Sequence, residues 1–229
     1  MISDGSDLLA LRKNNTLSSL VAEKIETYIM DGRLSAGERI NEAVLARELG
    51  VSRGPIREAA RLLSSQGLVE FVANKGAFVR SIDRDELLEI YDLRAVLTGY
   101  ACMRAAARHK DGTSILRDLH KQMSDAAENN DAAAYYTLNL QFHEHLINLA
   151  QSPRLKAMTD GLIKETHLFR QVSLQRHPDM AQSNIEHGEI LAAIENGDEK
   201  RAQKLGESHV RSGKKRFEKA AVNLVSTED

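Results

Sequence analysis

A chain of 229 residues suits one large or two modest domains, each able to bury a core. Apolar residues make up 42% and charged residues 28%, the composition of a soluble globular protein. No apolar run reaches bilayer length and no signal-peptide core opens the chain, which excludes a membrane partner; the single Cys102 excludes an internal disulfide and fits a reducing, cytoplasmic location. The net charge of −2 argues against indiscriminate nucleic-acid affinity, but the charge is unevenly spread.

Residues 1–15 read as a flexible N-terminal arm. From Leu17 to Met30, Leu20, Val21, Ile25, Tyr28 and Ile29 recur at helical spacing, and Asp31-Gly32 stops the helix. Residues 33–40 read as a loop. Asn41 is placed to cap a short helix with Val44, Leu45 and Leu49 as its apolar stripe, and Gly50 ends it in a left-handed turn. Ser52 then caps a second helix whose inner side is Ile56, Ala59, Ala60, Leu62 and Leu63. Arg53, Arg57 and Arg61, at four-residue spacing, line its outer face. A recognition helix needs such a face, because it lies among phosphates and guanine edges in the major groove. Two strand-like runs, residues 68–72 and 77–80, flank a turn with Lys75 and Gly76 at its tip. Helix, turn, helix and hairpin together read as a winged helix-turn-helix over residues 16–81. Residues 52–80 carry five basic groups against two acidic, a local +3.

Ser81-Ile82-Asp83 reads as the domain boundary. Everything beyond it reads as helix, so the fold class is mainly α: a winged head, then an antiparallel bundle of six or seven helices over residues 82–221, and a tail of residues 222–229. Residues 85–108 form the first helix, with Leu87, Leu88, Ile90, Tyr91, Leu93, Val96, Leu97 and Ala101 on a wide apolar face; further helices run over about 113–128, 131–150, 154–175, 180–196 and 198–221. Cys102, in an Ala-rich stretch, reads as core rather than nucleophile. Among the eight histidines, His109, His120 and His177 read as solvated or in loops, and His167 as lining a cavity or the core edge. His145, two residues from His143, points away from it. Asn139 and His143 stand four apart on one helical face, while His187 and His209 lie on the last two helices, which a bundle can bring opposite. Three imidazoles and an amide oxygen suit Zn²⁺, Ni²⁺ or Mn²⁺; on spacing alone, a hydrogen-bonded polar pocket without metal accounts for them as well.

The segment Gly32 to Phe71 resembles the DNA-binding domain of the GntR family of bacterial transcriptional regulators. The likeness lies in the Gly-x-Leu-x-x-Gly loop (Gly32, Leu34, Gly37), the Glu-x-x-Leu-Ala helix (Glu42, Leu45, Ala46), and the recognition segment Val51-Ser52-Arg53-Gly54-Pro55-Ile56-Arg57-Glu58-Ala59. It implies a DNA-binding set of Glu42, Ser52, Arg53, Gly54, Pro55, Arg57, Lys75 and Gly76. Gly54 stands where the family usually has Thr, which removes one hydroxyl contact to phosphate. Residues 85–220 resemble the FCD-type effector domain of FadR-like members, through Leu93-Arg94, Asn139-x-x-Phe142-His143, Glu186-His187-x-x-Ile190 with Ala193, Gly197 and Asp198, and His209. Thr98 departs from the Glu usual there. This likeness implies a metal held by Asn139, His143, His187 and His209, and a small carboxylate effector for which Arg94 is a second anchor; the alternative for Arg94 is a salt bridge to a neighbouring helix.

Three functions compete. A ligand-responsive regulator would bind a palindromic double-stranded operator as a homodimer and so associate with the nucleoid. A metal-dependent hydrolase or lyase would use the same histidines with Glu144 as base, but Glu144 adjoins His143 in a helix and points off the site. A purely architectural DNA-binding protein would leave the second domain without a role. The first reading accounts for both halves; no catalytic residue is expected.

Overall fold

The computed structural model describes residues 16–108, 112–174 and 179–225, with side chains over 16–108, 112–166 and 179–219. The expected N-terminal arm, His109 and His177, and the side chain of His167 lie outside the described residues. The chain divides into two compact units, Met1–Ile82 and Asp83–Asp229.

The head is α1 (Leu17–Met30), α2 (Glu42–Glu48), α3 (Arg53–Ser65), β1 (Val69–Val72) and β2 (Gly76–Val79). Thr16 caps α1, its hydroxyl accepting from the Ser19 amide at 3.2 Å. Asn41 caps α2 as its residue type dictates, its Oδ1 accepting from the Ala43 and Val44 amides at 3.1 and 3.2 Å. Ser52 sits at the cap of α3 but its hydroxyl makes no capping bond, contrary to expectation. Ile56, Ala59, Ala60 and Leu63 of α3 pack against Val21, Ala22, Ile25, Tyr28 and Ile29 of α1 to make the head's core. Leu20, Val44 and Leu62, expected inside, are exposed, since each lies roughly 100° of helical turn off its stripe.

β1 and β2 pair antiparallel from Val69↔Val79 to Val72↔Gly76. The loop before α2 also joins this sheet. Arg39 bridges Phe78, the Ile40 amide donates to Ala77 O at 2.9 Å, and the Val79 amide donates to Glu38 O at 2.8 Å. The wing thus has a third, short edge, within the segment 33–40 expected as a loop.

The second unit has six helices among the described residues: α4 (Arg84–Arg108), α5 (Ser114–Glu128), α6 (Ala132–Leu149), α7 (Pro153–Leu174), α8 (Met180–Glu195) and α9 (Glu199–Val225), the last running past the expected end at 221. Helices α4 and α9 are antiparallel: Arg84 meets Glu218, Asp92 meets Lys214, and Gly99 meets Gln203. Gly99 and Gly206 let the two backbones close together, and a Cβ on Gly206 would lie 2.5 Å from Cys102 Sγ and 3.2 Å from Gly99 Cα. Cys102, Leu116, Met123, Phe142, Leu146, Ile190, Ile194 and Ala202 fill the centre. Cys102 is core, and burial pushes its thiol up to about 12, which makes it a poor nucleophile. Leu93 and Val96, expected on the inner face of α4, are about half exposed and form an outer stripe with Tyr100. The buried side is instead Leu87, Ile90, Tyr91, Arg94, Ala95, Thr98 and Ala101.

Candidate functional site

The first site is the outer face of the head. Arg53, Arg57 and Arg61 are exposed on α3, as their spacing requires. They are not equivalent. Arg57 is clamped by Glu42 of α2, its Nε and Nη2 donating to the two carboxylate oxygens at 3.0 and 2.7 Å. That pair, with Arg53 and Arg39 beside it, holds the Glu42 carboxyl below its usual range. Glu42 therefore orients a guanidinium while an acid remains on a cationic face. Arg61 pairs with Glu58 at 3.0 Å. Arg53 makes no ion pair among the described residues. Gly54 is exposed, and a Cβ there would meet nothing nearer than Ser52 Oγ at 4.0 Å, so nothing steric demands glycine. Pro55 is the third residue of α3, within the first turn, where a backbone amide has no partner inside the helix to lose. Lys75 and Gly76 are exposed at the end of the hairpin.

The second site lies inside the bundle. His143 of α6, His187 of α8 and His209 of α9 are buried and converge. His143 Nε2 stands 3.3 Å from both His187 Nε2 and His209 Nε2. Their helices are positioned by their apolar neighbours: Phe142 and Ile190 are fully buried, which turns the adjoining His143 and the same face's His187 inward. Behind His209, its Nδ1 donates to Glu186 Oε2 at 2.7 Å, and Arg216 grips the same carboxylate with both terminal nitrogens at 3.0 and 3.1 Å. Burial alone would raise the Glu186 carboxyl; the bonds from His209 and Arg216 outweigh it and hold the group below its usual range. His187 is pushed far below the ordinary imidazole range, first by burial and then by the neighbouring His209 and His143.

The protons decide what this cluster fits. A neutral His209 that donates from Nδ1 to Glu186 presents a bare lone pair at Nε2. His143 Nε2 offers one hydrogen or one lone pair, so it cannot make good hydrogen bonds to both neighbours at once. A cation in place of that hydrogen satisfies all three lone pairs. Carboxylate support behind a ligating imidazole is also the usual second layer of a metal site. The residues present fit a divalent transition metal.

A cavity adjoins the cluster, lined by His143, His209, Asn139, Arg94, Tyr135 and Arg216 among others. Asn139, half-buried one turn before His143, faces this cavity; it is not among the three imidazoles that close on one another. Arg94 is only 5% exposed, donates to Thr166 Oγ1 at 3.4 Å, and lies 5.4 Å from the Tyr91 ring. The Tyr135 phenol is buried on this cavity beside Ser183, and burial pushes it up to about 12, so it remains a donor. Glu144 is exposed and lines a separate cavity with Arg94 and His143; it is not among the groups that converge with the three imidazoles.

Sequence reasoning missed Arg39, Glu186, Arg216 and Tyr135. For Arg216 a signal existed: it stands seven residues after His209, two turns along the same face. Glu186 was legible only as the neighbour of His187.

Residues 17–79 match the model of the bacterial regulatory proteins, gntR family, and residues 89–212 match the FCD domain. The Nta operon transcriptional regulator of Aminobacter aminovorans is 32% identical over 157 residues, covering 68% of this chain and 74% of that protein. The probable D-xylose utilization operon transcriptional repressor of Paenarthrobacter nicotinovorans is 29% identical over 197 residues, covering 85% and 86%. The gluconate operon transcriptional repressor of Bacillus subtilis is 25% identical over 206 residues, covering 85% and 84%. In three dimensions the chain is similar to McbR/YncC of E. coli, with a TM-score of 0.76 at 19% identity over 90% of this chain and 98% of that one. A GntR regulator from Rhodococcus follows at 0.72 and 24%, over 87% and 96%. The family and the three sequence relatives are transcriptional regulators, not enzymes, and the hydrolase or lyase alternative falls with them. The chain belongs to the gntR family of bacterial transcriptional regulators, with a winged helix-turn-helix head followed by an FCD domain.

Proposed function

We propose that this regulator represses transcription by binding a palindromic operator as a homodimer, and that a small carboxylate bound at a metal in the helical unit changes its affinity for DNA. One observation carries the reading: three buried imidazole nitrogens meet beside a cavity, with Glu186 and Arg216 fixing His209 from behind. His143, His187 and His209 would hold the cation, with Asn139 facing the open side. A bound divalent metal supplies a positive charge that attracts a carboxylate. Arg94, buried on the same cavity, supplies a second cationic anchor with bidentate geometry. The names of the gluconate and D-xylose operon relatives support repression, and the first of them supports an acid as effector.

In the head, Arg53 and the Glu42-oriented Arg57 read base edges, while Ser52, Gly54, Pro55, Lys75 and Gly76 sit where the helix start and the wing approach phosphate. The exposed Leu93, Val96 and Tyr100 stripe on α4 supports the dimer, because two copies related by a two-fold axis would cover the same apolar residues on each. No helix of the described residues is long and apolar enough to cross a membrane.

A thermal-shift screen of small organic acids, with and without added Zn²⁺, Ni²⁺ or Mn²⁺, tests the effector half. An acid that binds the folded form raises the melting temperature by mass action, and should do so only in metal-loaded protein. Stabilisation by acids regardless of metal would contradict the metal-anchored site.

A further inference from the structure

Arg39 precedes α2 and belongs to none of the family segments that mark the DNA-binding head. Its backbone nevertheless forms the outer edge of the wing, bridging Phe78 across from β1. Its side chain turns back along that edge. A Cβ on Gly76 would lie 3.7 Å from Arg39 Nη2 and 3.8 Å from Nε, so the guanidinium rests against the bare α-carbon of the wing's first β2 residue. Gly76 has φ +101°, a conformation that L side chains rarely adopt, so the turn itself keeps that space open.

The carboxylates nearest Arg39 in the chain make their hydrogen bonds to other groups. Glu38 accepts from the Ser35 amide at 2.9 Å, and both Glu42 oxygens are taken by Arg57. Glu70 lies two strands away, across Phe78. Arg39 is exposed and makes no side-chain hydrogen bond or ion pair among the described residues. It also lies close enough to Glu42 to lower that carboxyl alongside Arg53, which puts it on the same side of the head as the recognition helix. An exposed guanidinium with no hydrogen-bonded carboxylate, on the face assigned above to DNA, suits the grip of a phosphate.

We propose that Arg39 is a further phosphate-contacting residue, bridging the recognition helix and the wing in one cationic track on the DNA side of the head. The inference rests on the DNA-binding reading above. It adds a contact from the wing's outer edge.

The test uses the full-length protein and two duplexes: one selected from random-sequence DNA by the wild-type protein, and a random-sequence duplex of equal length. Binding is measured by fluorescence anisotropy over a range of salt. Arg39→Ala and Arg39→Gln should weaken binding to both duplexes by a similar factor, and the slope of log affinity against log salt should fall by about one. Arg39→Lys should keep the wild-type slope. Melting temperature separates a folding defect from a lost contact, and Arg39→Gln, with a long polar side chain, covers the case in which alanine disturbs the wing. Wild-type affinity and slope in the neutral variants would overturn the proposal and leave the DNA-binding reading intact. Loss confined to the selected duplex, at unchanged slope, would make Arg39 a base contact and equally overturn it. Wild-type protein that selects no duplex at all would sink both.

Discussion

His209 Nδ1 lies 2.7 Å from Glu186 Oε2, and this one hydrogen bond settles which nitrogen of His209 faces the other imidazoles. With Nδ1 carrying the hydrogen, Nε2 is left as a ligand atom. Arg216 then holds the carboxylate from its other side, so the tautomer is fixed by a carboxylate–guanidinium pair, 15% and 18% exposed respectively. Carboxylate support of this kind tunes ligand basicity and ring orientation together.

Glu186→Gln should therefore weaken metal binding by roughly 10- to 100-fold without removing a ligand. His187→Ala, which removes one, should lose the metal outright and lower the melting temperature. Elemental analysis and chelator titration followed by thermal melting check both. Operator affinity of the metal-free variants in the absence of effector should stay near wild type, because no head residue belongs to the cluster. Equal metal content in Glu186→Gln and wild type would remove Glu186 from the site.

Arg53→Ala should cost about 1–3 kcal/mol of operator binding without unfolding the head. Arg57 should behave differently, because Glu42 clamps it. Glu42→Gln and Arg57→Ala should be non-additive in a double-mutant cycle on operator affinity, since removing either loses the same oriented guanidinium. Additive losses would show that Glu42 contacts DNA in its own right.

The head was largely legible from the sequence because its signals are local. Asn41 and Gly50 dictate a cap and a turn, and the apolar spacing of Ile56, Ala59 and Leu63 dictates the buried face. The bundle's helices were legible for the same reason. What was not legible depended on partners distant in the chain. Arg39 reads as loop until Phe78 is known to lie beside it. Glu186 has no role until His209 and Arg216, on another helix, close on it. Leu93 and Val96 continue an apolar pattern that the sequence cannot assign to inside or outside, whereas Gly99 and Gly206 mark the closest helix contact and carry no hydrophobic signal at all.

Gly206→Ala tests that contact. The added methyl would meet Cys102 Sγ and the Gly99 backbone, and overpacking of this kind costs about 1–3 kcal/mol. The melting temperature should fall by several degrees. Cys102→Ala in the same chain should recover part of the loss, because it removes the nearest of the clashing atoms and leaves only the Thr98 and Gly99 backbone. No recovery would place the strain in the backbone of α4.

Leu93→Glu and Val96→Glu address the dimer. Each places a charge on the half-exposed stripe of α4 without touching the buried face. Sedimentation should show the wild-type protein as a dimer and both variants shifted toward monomer, with melting of the isolated chain little changed. Variants that remain dimeric at low micromolar concentration would put the interface elsewhere.

The account turns on coupling between the helical unit and DNA, and one titration measures it: affinity of the metal-loaded wild-type protein for its selected duplex, with and without the stabilising acid from the thermal-shift screen. Repression relieved by effector predicts that the acid weakens DNA binding by about 5- to 150-fold. Chelated protein and Arg94→Ala should respond little or not at all. Metal-free purified protein whose melting and duplex affinity ignore chelator, metal and every acid in the screen would contradict the claim.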